Sequence, residues 1–303
     1  MDPLITVIIP NYNHSPYLDE RIQSVLNQTF KDFEVIILDD CSSDNSREII
    51  ENYRNNPQIS HILFNDKNSG STFIQWNKGF ELAKGQYIWI AESDDVADTK
   101  FLEKIISNID KNNPVLIFTN SHFIDSNSSI IDSKSHRIWN HCIQMEGISF
   151  VKRYLLGYNN IYNASAVVFK KEILANIPKE AYNIYKACGD RIFWIYVCLQ
   201  GNILYIPEKL NYFRKHKIKV SPYAAASGLS ALEDYQIYKT IKNKIRLNLL
   251  DRILINGHHY EFIHSYPFNN NIIRAKVSSV WNQEPEYSFI SYLIYKIYFK
   301  FHL

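Results

Sequence analysis

Four carboxylates fall within nine residues of the sequence, in the stretch "IAESDDVAD" at 90–98. They are Glu92, Asp94, Asp95 and Asp98, and they directly follow the apolar run 86–91. Carboxylates this close repel one another when ionised, so they persist most easily where a cation or a cationic partner offsets their charge. The stretch therefore predicts a metal or cation site at the end of a buried strand.

Two further polar clusters follow apolar runs in the same way. Asn11-Tyr12-Asn13 comes after the run 5–9, and the segment 39–44, "DDCSSD", comes after the run 33–38. In an open parallel sheet, ligands bind outside the carboxyl ends of the strands. Because all three clusters are expected at one edge of one sheet, they predict a shared binding site.

The elements that position these clusters alternate along the first 120 residues. We predict strands at 5–9, 33–38, 59–64, 86–91 and 115–119, and helices at about 15–28, 44–53, 71–85 and 98–109. Ser15 is expected to cap the first helix, and Gly85 to end the third. Continuous apolar strands separated by helices indicate an α/β fold with a mostly parallel sheet covered on both faces.

The second half of the chain is less regular. Helices are expected at about 147–156 and 189–199, and strands at 163–169, 202–206 and 209–214. Beyond residue 222, tyrosines and scattered lysines accompany helical patterns. We therefore predict a catalytic domain at 1–222 and a helical C-terminal appendage at 223–303.

The composition excludes several classes of protein. A formal net charge of +2 over 303 residues gives no general affinity for polyanions, so no nucleic-acid partner is expected. The four cysteines lack C-x-x-C spacing, which favours free thiols in a reducing cytoplasm. The first residues lack the pattern of a signal peptide, and no apolar run approaches the length of a spanning helix.

Four blocks of the sequence identify a family. The blocks "VIIPNYNH", "SVLNQTFKDFEVIILDDCSSD", "NSGSTFIQWNKGFELAKGQYIWIAESDD" and "CGDRIFWIYVCLQGNILYIPEKLNYFRKH" resemble, in order and spacing, the family 2 glycosyltransferases of the GT-A fold. The resemblance covers roughly residues 4–216. It implies a Rossmann-like sheet and transfer of a sugar from a nucleotide donor, often UDP-linked, with inversion and with Mn²⁺ or Mg²⁺. It also points to bacterial polysaccharide biosynthesis.

The resemblance implies a nucleotide site at the first two polar clusters and the acidic stretch. Its members are Pro10, Tyr12, Asp40 and Asp94, with Asn11 as a further candidate. Tyr12 is expected to stack on the base, and Asp40 to accept a hydrogen bond from a uracil N–H. Asp39 could instead accept a hydrogen bond from the backbone of its own loop.

The metal is expected at the acidic stretch. Glu92-Ser93-Asp94 occupies the place of the family's D-x-D motif, and Asp95 follows it. Glu92 departs from the usual aspartate, and the sequence leaves open whether Asp94 or Asp95 binds the metal. The segment 212–216 resembles the family's closing Tyr-Arg-x-His element, so Arg214 is a candidate diphosphate contact and His216 a candidate metal ligand.

The resemblance also implies a catalytic base. The family keeps a carboxylate at a helix start, often in a Glu-Asp pair, and the matching stretch here is 188–194. Gly189 replaces the first acid, while Asp190 remains and is the expected base. Arg191 adjoins Asp190 and could pair with it, which would make it a weaker base.

Alternatives remain for function and partners. A pyrophosphorylase or a NAD-dependent dehydrogenase is disfavoured because no glycine-rich loop follows the first strand. Glu92 and Gly189 keep open a catalytically degenerate partner that only binds sugar nucleotides. The acceptor is expected to be a glycan or a lipid-linked molecule. The segment 288–303, with Lys296 and Lys300 among aromatics, predicts peripheral contact with the inner face of the cell membrane, or a homodimer contact or internal packing.

Overall fold

The computed structural model describes residues 2–109, 113–131, 139–215 and 220–302. Within these ranges it has nine strands in one mixed sheet. The strands are β1 (Ile5–Asn11), β2 (Phe33–Asp39), β3 (Ile59–Phe64), β4 (Tyr87–Ile90), β5 (Val96–Ala97), β6 (Leu116–Ile124), β7 (Ile143–Glu146), β8 (Val167–Lys170) and β9 (Asn202–Arg214).

Helices follow most of the strands. They are α1 (Ser15–Leu26), α2 (Ser46–Glu51), α3 (Thr72–Leu82), α4 (Phe101–Ile109), α5 (Gly147–Phe150), α6 (Glu180–Asn183), α7 (Gly189–Cys198), α8 (Val220–Ala226), α9 (Leu229–Lys242), α10 (Leu249–Ser265), α11 (Asn271–Trp281) and α12 (Phe289–His302). Helix α5 continues as one turn of π-helix, Val151–Leu155, and two 3₁₀ helices, Ala164–Ala166 and Lys171–Asn176, flank β8.

Eight strands follow one path across the sheet, in the order β3-β2-β1-β4-β8-β6-β9-β5. β1 is parallel to β2 and β4, and β2 is parallel to β3. β1 and β2 are buried along their whole length, as expected for strands covered on both faces. The mostly parallel sheet is confirmed, with β8 antiparallel between β4 and β6 and with β5 antiparallel to β9 at the edge.

The core lies under the parallel half of the sheet. Apolar side chains of α1 and α4 pack with those of β1, β2 and β4 in one buried cluster. This packing holds the three strands side by side, so the loops that follow Asn11, Asp39 and Ile90 leave the sheet at the same edge. The expected shared edge for the polar clusters is therefore confirmed.

Two predicted helix ends are wrong. Ser15 is the first residue of α1 and does not cap it; Asp44 Oδ2 instead accepts a hydrogen bond from the Ser15 N–H at 2.8 Å. Helix α3 ends at Leu82, before Gly85. A Cβ on Gly85 would lie 2.5 Å from the Thr6 nitrogen, so the glycine permits close approach to β1 and does not end the helix.

The two strands predicted at 202–206 and 209–214 are one strand, β9. Its pairing with β6 is irregular in two places: it skips two residues between the pairs Thr119–Ile206 and Asn120–Lys209, and one more before Asn211 pairs with Ser121. Pro207 lies in the skipped segment and has no N–H to donate, so the break in the pattern marks a bulge and not a loop.

The described chain divides into two compact units. The first comprises 1–144, 162–183 and 202–216, and the second comprises 145–161, 184–201 and 217–303. These units do not coincide with the predicted catalytic domain (1–222) and helical appendage (223–303). That functional division stays a prediction. No helix in the described parts of the chain has both the length and the apolar character needed to cross a membrane.

Candidate active site

Side-chain hydrogen bonds join the loops that follow β1 and β2. Asn11 Nδ2 donates to Asp39 Oδ1 at 2.8 Å and to Ser42 Oγ at 3.2 Å. The Ser42 N–H donates to Asp39 Oδ2 at 3.0 Å, so the backbone contact suggested for Asp39 is confirmed. Asn13 has a φ of 55°, and its Oδ1 accepts from the Ser43 N–H. The two loops therefore form one braced wall at the edge of the sheet.

Tyr12 presents its ring to solvent at this wall. The residue is 48% exposed, although its neighbours Pro10 and Asn11 are buried in β1. A large exposed aromatic ring beside a braced polar loop provides a stacking face for a planar ligand. Pro10 lies within the strand, opposite Leu38 in the sheet, so its contribution is to shape the backbone below Tyr12.

Asp40 is only 4% exposed and accepts five hydrogen bonds from the protein. Its Oδ1 accepts from Asn65 Nδ2, the Ser69 N–H and Gln75 Nε2, and its Oδ2 accepts from Asn68 Nδ2 and Ser69 Oγ. A carboxylate has about four lone-pair positions, so its acceptor capacity is filled. In this arrangement Asp40 holds the loop after β3, and a ligand N–H would have to displace one of these donors.

The acidic stretch after β4 has three differently placed carboxylates. Asp95 is 1% exposed; its Oδ1 accepts from the Arg214 N–H and its Oδ2 from Asn163 Nδ2, both at 2.9 Å. Glu92 Oε1 accepts from Trp76 Nε1 at 3.0 Å. Asp94 lies between them and is half-buried. Asp95 therefore fastens the turn to the protein, and Asp94, which is less buried, is better placed than Asp95 to meet a ligand.

Burial, together with the charge of Asp94, raises the pKa of Glu92 to about 8, and the same two causes raise the pKa of Asp95. The buried cation Arg21 interacts with these carboxylates. Burial lowers the pKa of Arg21 to about 10 although Asp95, Asp94 and Glu92 act in the opposite direction. Its guanidinium carbon lies 5.0 Å from the centre of the Trp89 ring. Arg21 thus offsets part of the negative charge from inside the protein.

Arg214 holds the acidic turn in place. Its Nε donates to the Asp94 carbonyl at 2.6 Å, and its Nη1 donates to the Asp125 carbonyl at 2.7 Å. Its Nη2 donates to Glu20 Oε2 at 2.7 Å and to Ser128 Oγ at 3.0 Å. The residue is 1% exposed, so this side chain, suggested as a diphosphate contact, is directed into the protein.

Some of these contacts have no signal in the sequence. Glu20 lies 194 positions from its partner Arg214, and Asn163 lies 68 positions from Asp95. His14 Nδ1 lies 2.8 Å from Ser93 Oγ and links the loop after β1 to the acidic stretch. Because the partners are far apart in the sequence, no local pattern pairs them. Only the folded chain identifies these contacts.

The expected base lies in the second compact unit. Asp190 is the second residue of α7 and is half-buried, and its Oδ1 accepts from the Arg191 N–H at 2.7 Å. Burial raises the pKa of Asp190 to about 6, although that hydrogen bond and the Arg191 charge act against the rise. The ion pair suggested between Arg191 and Asp190 is not formed, since Arg191 Nη1 donates to Asp234 Oδ1 at 2.5 Å.

His216 lies outside the described residues. Among the residues that the structure does describe, no group of three or more histidine, cysteine, aspartate or glutamate side chains is arranged to hold a metal ion. A hard divalent cation that also binds a diphosphate needs only one or two carboxylates from the protein. The half-buried Asp94 at the end of β4 meets that lower requirement.

The sequence matches a known family. A family model described as "Glycosyl transferase family 2" matches residues 6–174, which is more than half of the chain. A poly(ribitol-phosphate) beta-N-acetylglucosaminyltransferase, TarP of Staphylococcus aureus, is 35% identical over 117 residues, covering 37% of this chain and 35% of TarP. The chain spans about half of the length of the curated relatives it matches, from 41% to 66% in four of them.

Solved structures share the fold. TarS of S. aureus (residues 1–349), in complex with UDP-GlcNAc, superposes with a TM-score of 0.62 at 17% identity over 95% of this chain and 89% of that one. A mannosyltransferase from Pyrobaculum calidifontis, in complex with GDP-Man and Mn²⁺, gives 0.56 at 14% identity over 92% and 74%. At these identities the likeness establishes the GT-A architecture.

The role of Arg214 gives a prediction about stability. Arg214→Ala removes four side-chain hydrogen bonds in a buried site, so we expect the free energy of unfolding to fall by about 3 kcal/mol. Arg54→Ala is the matched control, since Arg54 also pairs with a glutamate, Glu51, but at the surface; it should leave the free energy of unfolding close to the parent value. Urea denaturation measures both, and equal losses would contradict a special role for Arg214.

Proposed function

The chain belongs to glycosyl transferase family 2, and we propose that it is an enzyme that transfers a sugar from a nucleotide donor, with UDP as the nucleotide, to an acceptor hydroxyl. One observation carries the proposal: the exposed ring of Tyr12 and the half-buried carboxylate of Asp94 share one edge of the sheet. An aromatic face suits a base, and a carboxylate suits a metal-bound diphosphate. The fold shared with TarS, which was solved with UDP-GlcNAc, supports the choice of UDP.

In this proposal the donor nucleotide lies along the wall formed by the first two loops. Tyr12 stacks on the base, while Pro10 and Asn11 set the position of its backbone. Asp40 keeps the loop after β3 in place through its five donors. It contacts a uracil N–H only if one of those donors, such as Asn68 at 3.2 Å, gives way.

Asp94 is the residue that would hold a divalent metal, Mn²⁺ or Mg²⁺. When bound, the metal neutralises charge on the departing diphosphate. Asp95 has both oxygens engaged by Arg214 and Asn163, so its part is to fix the direction of Asp94. Glu92 stays against Trp76 and shapes the inner side of the same turn. The structural neighbour solved with Mn²⁺ supports use of a metal in this fold.

Asp190 serves as the base of an inverting transfer. The acceptor oxygen attacks the anomeric carbon as the bond from that carbon to the diphosphate breaks, and Asp190 takes the proton that the oxygen loses. A base works best when its pKa lies near the working pH. Burial raises the pKa of Asp190 to about 6, which favours this role over that of a simple helix cap.

The acceptor we propose is a glycan or a lipid-linked polymer of the bacterial cell envelope. TarP, whose name specifies poly(ribitol-phosphate), supports an anionic polymer as one such acceptor. The degenerate binding partner remains the second candidate because Gly189 stands where the family has an acid. It would bind donor without turnover, so transfer and donor hydrolysis assays separate the two.

Helix α12 supports a further contact with the membrane surface. Its inner face packs on α10 closely enough that a Cβ on Gly257 would lie 2.3 Å from the Ser291 carbonyl. The outer face exposes four apolar side chains, between 44% and 69% each: Phe289, Ile290, Leu293 and Ile297. Apolar helix faces of this kind insert at the headgroup boundary. We propose peripheral contact of this face with an anionic membrane.

The metal assignment predicts the behaviour of Asp94→Ala. The variant should fold normally and bind UDP, but Mn²⁺ should no longer tighten that binding, because the protein's ligand is gone. Asp66→Ala is the control, since Asp66 is an exposed acid on the neighbouring loop after β3. Calorimetric titration with UDP, with and without Mn²⁺, measures the effect. If Mn²⁺ tightens binding equally in all three proteins, Asp94 is not the metal ligand.

The base assignment predicts both a rate and a pH profile. Parent activity should rise as the pH increases through about 6, because Asp190 must be deprotonated to accept a proton. Asp190→Asn should lower kcat by about 10²–10⁴ and abolish that rise, with the donor KM unchanged. Steady-state transfer between pH 5 and 9 measures both quantities. A variant that keeps the parent's profile would show that another group is the base.

The membrane proposal predicts a loss of vesicle binding. Replacing Ile290 and Leu293 by Gln in the full chain should lower partitioning to phosphatidylglycerol vesicles at least about tenfold, since two apolar side chains no longer insert. Ile272→Gln is the control because Ile272 is 80% exposed on α11. Co-sedimentation measures partitioning. Equal partitioning would contradict the membrane contact, and a parent dimer that these changes dissociate would assign the face to a homodimer contact instead.

A further inference from the structure

The turn that precedes α7 is held by one glutamate of α9. The N–H groups of Lys186 and Ala187 donate to Glu233 Oε1 and Oε2, both at 2.9 Å, and the Cys188 N–H donates to Oε2 at 2.8 Å. Three consecutive backbone donors thus converge on a single carboxylate that is 6% exposed. The turn leads directly into Asp190, so the position of Asp190 follows from this contact.

The next residue of α9 binds the neighbour of Asp190. Asp234 Oδ1 accepts from Arg191 Nη1 at 2.5 Å, and both side chains are nearly buried. Arg191 is next to Asp190 in the chain and would be its nearest cationic partner. Because Asp234 engages the guanidinium, the carboxylate of Asp190 keeps the hydrogen bond from the Arg191 N–H without an ion pair to its side chain.

Helix α9 is itself fixed within the second unit. Trp281 is fully buried and its Nε1 donates to the Ala231 carbonyl at 3.2 Å. Lys242, at the other end of the helix, pairs with Glu284 at 2.6 Å. Glu233 and Asp234, which face α7, therefore lie on a helix that is held near both of its ends.

From these contacts we propose that Glu233 and Asp234 are positioning residues for the catalytic base. Glu233 sets where the helix bearing Asp190 begins, and Asp234 keeps the Arg191 guanidinium away from the Asp190 carboxylate. The proposal rests on the assignment of Asp190 as the base of the proposed transfer. In this proposal α9, one of the C-terminal helices, positions the catalytic base. The C-terminal helices then contribute to catalysis in addition to any contact with acceptor or membrane.

Two charged groups of the described residues act on Asp190: Arg191 of α7 and Asp234 of α9. Cys188, in the turn before α7, is influenced by Asp190 and by Glu233 of α9. The charge of Arg191 also reaches His258 and His259 of α10. Asp234 raises the pKa of Asp190, and Arg191 lowers it. Removing the negative charge of residue 234 has two effects on the pKa of Asp190. It ends the repulsion between the two carboxylates, and it frees the Arg191 guanidinium to approach Asp190. Both changes lower the pKa of Asp190, so the rise of activity moves to lower pH.

Three full-chain variants test the proposal. Asp234→Asn keeps the shape of the side chain but loses its charge; it should lower kcat and move the rise of activity to lower pH, because Asp190 becomes a weaker base. In Glu233→Gln an NH₂ group replaces one carboxylate oxygen. It cannot accept a hydrogen bond, so at least one backbone N–H of the turn loses its acceptor. This variant should lower kcat by about tenfold with the donor KM unchanged, since small displacements of a catalytic group are costly.

Glu286→Gln is the matched control, since Glu286 pairs with Arg252 at 2.7 Å in the same unit without touching the turn. It should leave kcat and the pH profile at parent values. Hydrogen exchange supplies a readout that needs no activity: the amides of residues 186–188 should exchange faster in Glu233→Gln than in the parent or the control. Thermal melting of each variant separates local effects from loss of the fold.

The outcomes distinguish the two proposals. A parent that transfers no sugar from any UDP donor overturns the proposed function, while the exchange of the 186–188 amides still decides whether Glu233 holds the turn. An active parent whose Asp234→Asn variant keeps the parent pH profile overturns the positioning role of Asp234. Unchanged exchange in Glu233→Gln, or a change in donor KM alone, overturns that of Glu233.

Discussion

The guanidinium of Arg214 fixes the acidic turn at the end of β4, and the geometry of the sheet edge depends on it. The backbone N–H of Arg214 donates to Asp95 Oδ1, and its guanidinium donates to the Asp94 carbonyl. Through Glu20 it also ties the turn to α1. Glu92, Asp94 and Asp95 lie close together there for three reasons. Asp95 accepts two hydrogen bonds, Glu92 accepts one from Trp76, and the charge of the buried Arg21 offsets part of theirs. A rigid turn then leaves Asp94 with a fixed direction.

The parallel half of the fold could be predicted from the sequence because its strands are buried on both faces and appear as unbroken apolar runs. β1, β2 and β4 fall where those runs predicted them, and the polar residues after them share an edge. Tyr12 shows how far this reaches at the candidate site: its position in a polar loop after a strand agrees with its exposure, while its stacking role stays a prediction. Local pattern and topology suffice for such residues.

Contacts between distant residues could not be predicted. Nothing in the sequence pairs Asn163 with Asp95, or Glu233 with the turn before α7, because a hydrogen bond leaves no periodic pattern. The prediction that Gly85 ends α3 is wrong for a related reason: a glycine after a helix usually ends it, whereas here it makes room for β1. The sequence predicts two strands in place of β9 because Pro207 interrupts the pattern, although the pairing with β6 resumes two residues later.

The hydrogen bonds to Glu233 also constrain how the chain matures. The amides of Lys186, Ala187 and Cys188 are synthesised 45 to 47 residues before their acceptor. At a translation rate of about 5–20 residues per second, those donors wait about 2 to 9 seconds for it. During that interval the start of α7 has no partner from α9 to define it. Helix α7, which carries the proposed base Asp190, is thus completed late in synthesis, so the proposed activity would arrive only with the C-terminal helices.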